Sequence, residues 1–168
     1  MTRQTDFAVF LNRFLTDYLP NKRGSSPKTI DSYRYSFIFL IEYYEKSYGI
    51  TPDKLKLSAI TYEKISGYFD WLQEEKRVSV STRNQRQAAV NSFVRFLIYE
   101  RPEYLNEYQR ILAIPVKKAP QKEISYLKTD GVAALMGTVD TFKTNGIRDY
   151  VILMLLYSTG IRVSELVT

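Results

Sequence analysis

The sequence predicts an all-α protein on three observations. Apolar residues recur at three- and four-residue spacing through each long segment, Ser, Thr and Pro stand where these runs begin, and Gly or Pro stands where they end. Phe7, Phe10, Leu11, Phe14, Leu15 and Tyr18 form the first run, with Thr5 or Asp6 as cap and Pro20 as its stop. Lys22-Arg23-Gly24-Ser25-Ser26 is a loop, and Ser26-Pro27 reads as N-cap and first helical residue of a long helix running toward Gly49. Ile30, Tyr33, Phe37, Leu40, Ile41 and Tyr44 make its buried stripe. Lys28, Ser32, Tyr35, Phe39 and Tyr43 fall on the opposite side, an outer face aromatic enough to call for a partner.

After a turn around Thr51-Pro52, Thr61 caps a third helix with Ile65, Tyr68, Phe69 and Leu72 inward. It ends in the charged segment Glu74-Glu75-Lys76-Arg77, to which no function is assigned. A fourth helix opens at Ser79 to Ser81 and runs to Pro102, with Ala89, Val90, Phe93, Phe96 and Leu97 as its packed stripe. A short helix follows around Tyr104 to Leu112. Residues 1–113 are thus expected to form one small bundle of four to five helices.

Residues 114–125 read as a basic, proline-containing linker, because two prolines exclude regular helix and Lys117, Lys118 and Lys122 repel one another into extension. A plain solvated connector and a strap tracking a polyanion are both compatible with this composition. Beyond it, Thr129 caps a helix with Val132, Leu135 and Met136 inward, and an apolar helix from about Ile147 to Tyr157 leads to Gly160. About 50 residues are too few to complete a core. Residues 126–168 are therefore expected to be the beginning of a second domain, and the chain to be truncated.

Composition narrows the chemistry. The 168 residues contain neither Cys nor His, which excludes disulfides, thiolate and imidazole catalysis and the usual zinc sites. No metal, cofactor or small-molecule substrate is expected. The first residues lack the apolar core of a signal peptide, and no apolar run approaches the roughly 18 residues of a membrane span, so a cytoplasmic protein is expected.

The net charge of +6 is confined to the first part of the chain. Residues 1–118 hold 19 Lys/Arg against 13 Asp/Glu, whereas 119–168 hold five of each. A basic domain joined to a neutral one suggests a polyanion partner, although such charge also serves solubility. No acidic residue occurs between Glu75 and Glu100, an interval that carries Lys76, Arg77, Arg83, Arg86 and Arg95. Asn84, Gln87 and Asn91 join them at helical spacing. Arg pairs with guanine edges or phosphates, Asn and Gln read adenine, and hydroxyls at helix starts hold phosphates, so this face suits DNA. The competing reading makes Ser26 and Ser81 caps and leaves Arg83 and Arg86 solubilising; Arg86 also lies over the start of the apolar stripe, where its stem could cover the core. Arg83 is the cleaner candidate.

Near the end, Thr159-Gly160-Ile161-Arg162-Val163-Ser164-Glu165-Leu166 lifts an arginine on a Gly turn at a helix start. A guanidinium fork there suits the oxygens of a phosphate, or it pairs with Glu165.

In this order, the stretches Ser26-Pro27-Lys28-Thr29-Ile30-Asp31-Ser32-Tyr33-Arg34, Ser81-Thr82-Arg83-Asn84-Gln85-Arg86, Ile114-Pro115-Val116-Lys117-Lys118, Tyr126-Leu127, Arg148-Asp149-Tyr150 and the Arg162 octapeptide resemble the tyrosine recombinases, which include phage and transposon integrases and Xer-type resolvases. The resemblance covers nearly the whole chain. It implies a SAM-like core-binding domain on duplex DNA, a linker, and the first helices of a truncated catalytic domain that in full length works as a multimer on DNA. Arg162 matches the arginine that holds the scissile phosphate, with Glu165 in support. The DNA contacts it implies fall on Lys22, Arg23, Lys28, Thr29, Ser32, Tyr35, Arg83, Asn84, Arg86, Gln87, Asn91, Lys117 and Lys118. The family's downstream catalytic boxes and tyrosine nucleophile have no match here, so binding without strand cleavage is expected. A natural non-cutting regulator, or a helical protein-interaction module using Tyr35, Phe39 and Tyr43, are the alternatives.

Overall fold

The computed structural model describes residues 4–120 and 126–167, and among these it contains helices and no strand. Two units, residues 1–120 and 121–168, divide the chain. The first holds α1 (Asp6–Arg13), which continues as a π-helix (Phe14–Lys22), α2 (Pro27–Tyr48), a 3₁₀ turn (Leu57–Ala59), α3 (Tyr62–Glu74), α4 (Val80–Glu100), a second 3₁₀ turn (Pro102–Tyr104) and α5 (Leu105–Leu112). The second unit holds α6 (Thr129–Gly137), α7 (Thr144–Thr159) and α8 (Val163–Leu166). Residues 121–125 of the expected linker, Lys122 among them, lie outside the described residues.

Local signals set the starts of α1, α2 and α4. The Thr5 hydroxyl accepts from the Ala8 N–H at 3.2 Å, the Ser26 hydroxyl from Thr29 at 3.3 Å, and the Ser79 hydroxyl from Thr82 at 3.1 Å. Each such cap contributes about 1 kcal/mol by satisfying a free helix donor. Gly49 ends α2 in the left-handed region at φ 64°.

Two expected boundaries differ, and one expected cap lacks its side-chain bond. The first helix does not stop at Pro20: it widens into a π-helix that carries the proline inside, with the Arg23 N–H reaching back five residues to the Tyr18 carbonyl at 3.0 Å. The wider turn avoids the α-helical register in which a proline ring meets the carbonyl four residues back. Thr61 occupies the N-cap position of α3 without a capping bond from its hydroxyl; the Tyr62 N–H donates instead to Glu107 Oε2 of α5 at 2.9 Å. Lys128, not Thr129, is the N-cap of α6, and its side chain makes no capping bond.

The first unit is built on aromatic packing. Phe14, fully buried, has the rings of Tyr18, Tyr33, Phe37, Phe93 and Phe96 at centroid distances of 5.2–6.3 Å. A second cluster joins α2 to α3 through Tyr43, Tyr44, Tyr68 and Trp71, with the Tyr68 hydroxyl donating to the Ser36 carbonyl at 3.1 Å. Tyr43, expected on the outer face of α2, is buried. It lies beneath Gly67 of α3, where an added Cβ would stand 2.5 Å from the Tyr43 hydroxyl oxygen, so the missing side chain is what admits the ring. Phe39 is half-buried under Arg86 and Lys76, and only Tyr35 of the expected aromatic face stays exposed, at 63%. That face is no continuous surface.

In the second unit no described residue is buried. Val132 and Met136 are half-covered and Leu135 is exposed, so their expected inward packing is at most partial. Three helices of this length enclose too little volume to bury an apolar stripe.

Phe14→Ala is expected to cost about 3–5 kcal/mol in urea unfolding, the range for deleting a buried phenyl ring; a loss under about 1 kcal/mol would remove Phe14 from the centre of the core. Gly67→Ala is expected to destabilise by about 1–3 kcal/mol through overpacking. Combining it with Tyr43→Phe should recover part of that loss, and strictly additive losses would show that the two positions do not collide.

Candidate nucleic-acid interface

Two helix starts meet on one surface of the first unit. Gln85 Nε2 of α4 donates to Ser32 Oγ of α2 at 2.8 Å, which sets the N-terminal halves of the two helices side by side. Ser32, Tyr35, Ser36, Thr82, Gln85 and Arg86 line the groove between them. At its floor the Arg86 guanidinium lies 4.0 Å from the centroid of the Phe39 ring, with a shielded Nε that has no hydrogen-bond partner. The ring face and the stem hold the charge at the groove while the core stays closed beneath it.

Lys28, at the start of α2, is exposed, as is Lys22 at the end of the π-helix, and Thr29 is half-buried, its hydroxyl 3.0 Å from that of Ser26. Ser81, Gln85 and Ala88 are exposed along one stripe of α4, and of these the sequence marks Ser81 as a cap. The cap is Ser79; Ser81 stands in the first turn. Ser36 of α2, and Thr82 and Gln85 within the Ser81–Arg86 stretch, are the groove residues that sequence reasoning missed. Their orientation depends on which sides of α2 and α4 meet, and no local signal carries it. Arg34 is exposed and paired with Asp31 at 3.0 Å. Arg23 is exposed, and its guanidinium donates to the buried Ser92 hydroxyl of α4, fastening the loop before α2.

The structure puts a second group elsewhere. Arg83, expected to face DNA, is buried at 3% exposure. Its guanidinium stacks 4.8 Å over Phe69 and donates to Gln87 Oε1 at 2.6 Å, Asn84 Oδ1 at 3.2 Å and the Pro115 carbonyl at 3.4 Å. Burial lowers its pKa from the ordinary arginine value. Gln87 is equally buried and donates to the Ile114 carbonyl at 2.7 Å. Asn84 donates to the Lys117 carbonyl at 2.7 Å and accepts its N–H at 3.3 Å. Asn91 is half-buried, with a shielded Oδ1 that lacks a partner. Arg83, Asn84 and Gln87 turn toward α3 and the segment after α5, because α4 is covered on that side as well as along its apolar stripe. Lys117 Nζ reaches Gln73 and lies 4.0 Å from Asp70, while Lys118 is exposed.

In the second unit Gly160 closes α7 in the left-handed conformation, φ 64°, and Arg162 is the N-cap residue of α8. The Glu165 carboxylate accepts the Arg162 backbone N–H at 3.0 Å and its guanidinium at 3.1 Å. Of the two readings of this arginine, the pair with Glu165 is the one formed, and the guanidinium remains mostly exposed, at 81%. Among the described residues no cluster of carboxylates has the makings of a metal site, and no helix is long and apolar enough to cross a membrane.

Comparison with known proteins agrees with this architecture. The family described as "Phage integrase, N-terminal SAM-like domain" matches residues 11–101. A Sinorhizobium fredii protein, y4rC, named as a putative integrase/recombinase, is 34% identical over 99% of this chain and 50% of its own length. Tyrosine recombinase XerC of Myxococcus xanthus is 29% identical over 96% of this chain and 50% of its own, and tyrosine recombinase XerD of Listeria monocytogenes 27% identical over 94% and 52%. The chain therefore spans about half the length of these relatives. No solved structure matches it.

Arg83→Met keeps the stem and removes the guanidinium, leaving Gln87 Oε1 and the Pro115 carbonyl without their donor. A loss of about 1–3 kcal/mol is expected in urea unfolding followed by circular dichroism. A change within about 0.5 kcal/mol, the range of ordinary surface substitutions, would refute a structural role for Arg83.

Proposed function

Because this chain belongs to the phage integrase family of tyrosine recombinases, whose membership ties it to DNA recombination, we propose that its first unit is a duplex-DNA-binding module of a site-specific recombinase. The observation that carries this reading is the groove between α2 and α4, where Ser32, Tyr35, Thr82, Gln85 and Arg86 converge beside the exposed Lys28. Hydroxyls, an amide and cations on two adjacent helix starts are the donors that a phosphate backbone accepts, and Gln85 and Arg86 also carry the groups that read base edges. Thr29 and Lys22 extend the contact along the first helix start, and Lys118 extends it past α5.

Arg83, Asn84 and Gln87 take no part in this proposal, because Arg83 and Gln87 are buried and all three bond to the Ile114–Lys117 segment. In the second unit Arg162 is proposed to hold the scissile phosphate in the complete active site, with Glu165 fixing its position until the phosphate takes over the guanidinium. Phosphoryl transfer further requires an activated nucleophile and a proton donor for the leaving oxygen. The 168 residues are proposed to bind DNA without cutting it, and the full-length protein to act as a multimer on its site.

Fluorescence anisotropy of the chain against duplex DNA tests the reading. Binding is expected to weaken linearly with log salt, at about 0.9 per neutralised phosphate. Lys28→Ala/Arg86→Gln should lower both the affinity and that slope, by about one per removed contact. The absence of binding at low salt, with the fold intact by circular dichroism, would sink the proposal.

A further inference from the structure

Three polar residues in the first turns of α4 bond to the chain's own backbone. Gln87 Nε2 donates to the Ile114 carbonyl at 2.7 Å, Arg83 to the Pro115 carbonyl at 3.4 Å, and Asn84 both donates to and accepts from Lys117, at 2.7 and 3.3 Å. Three side chains at positions 83, 84 and 87, within one helical turn, thus address three residues of a segment that has no regular secondary structure of its own. Arg83 also donates to Asn84 and Gln87, which fixes both amides in the orientation the segment needs. Ile114 is buried at the start of this contact, and Lys117 finishes it by reaching Gln73 of α3.

We propose that this ladder is a clamp that makes Ile114–Lys117 a structural part of the first unit, so that the chain is released from the bundle only beyond Lys117. The argument is one of satisfaction. Buried amides such as Gln87 must find partners, and an extended segment offers free carbonyls and N–H groups at regular intervals. Proline at 115 suits the segment, since it fixes φ and has no N–H to leave unpaired. The clamp decides where the chain leaves the bundle, and it holds the Lys117 ammonium against α3 while Lys118 remains exposed. This inference stands independently of DNA binding.

Backbone ¹⁵N relaxation of the full chain tests it. The Val116 and Lys117 amides are expected to be as rigid as the helices, with order parameters near about 0.85. In Asn84→Ala/Gln87→Met they should fall below about 0.6, the flexible range, while α2 and α4 keep their values. Asn84→Ala alone removes only the contacts to Lys117 and Arg83, so it serves if the double variant fails to fold, and it should loosen Lys117 by itself. A flexible Val116 and Lys117 in the unaltered protein, or unchanged order parameters in a folded variant, would overturn the clamp.

Discussion

The first unit depends on the burial of α4 on more than one side. Phe93, Phe96 and Leu97 belong to the aromatic core around Phe14, while Arg83 and Gln87 meet Phe69 and the segment after α5. A helix in this position cannot be amphipathic in the usual sense, because each of its faces must match a different neighbour. Apolar faces are matched by rings, where offset and edge-to-face pairs add to the burial of area. Its polar face is matched by backbone groups, where the requirement is complete hydrogen bonding. What the first turns of α4 leave for an external partner is the stripe through Ser81, Gln85 and Ala88, beside α2.

The same constraint separates two kinds of cation that composition groups together. Arg83 and Arg86 are three residues apart and both stack on phenylalanine rings, Phe69 and Phe39. Arg83 ends among fixed acceptors, and its terminal nitrogen holds parts of the chain together. Arg86 ends in an open groove, with Ser32, Tyr35 and Thr82 around it; the Nε of each arginine is shielded and without a partner, so it is the surroundings of the guanidinium tip that differ. Positive charge in the sequence therefore overstates the cationic surface left open to a partner. Arg23 gives the same lesson, since its guanidinium serves the buried Ser92 hydroxyl.

The second unit has a different character. Its helices keep much of their apolar surface exposed, including Ile147, Val151, Met154 and Leu155 on α7, and its defined chemistry is the Gly160 turn leading to the Arg162–Glu165 pair. The pair is local, closed by the first turn of α8, and its arginine is exposed enough to exchange the carboxylate for another anion.

Helix number, order and most boundaries were legible in the chain alone, because caps such as Ser26 and stops such as Gly49 act within a few residues of themselves. The buried stripe of α3 and the Gly160–Arg162 turn were legible for the same reason. Family membership was legible too, since it rests on motifs and their order. What escaped were properties set by contacts far along the chain: Tyr43 is inside because Gly67 makes room for it, Tyr62 is capped by Glu107, and the first helix passes Pro20 by widening its winding. The division of α4's polar residues was equally hidden. A helical wheel gives the direction of Arg83, Asn84 and Gln87 but not what waits there. Whether a side chain meets water, DNA or the protein's own backbone is fixed only when α3 and the Ile114–Lys117 segment close over it, and that closure is a tertiary event with no local signature.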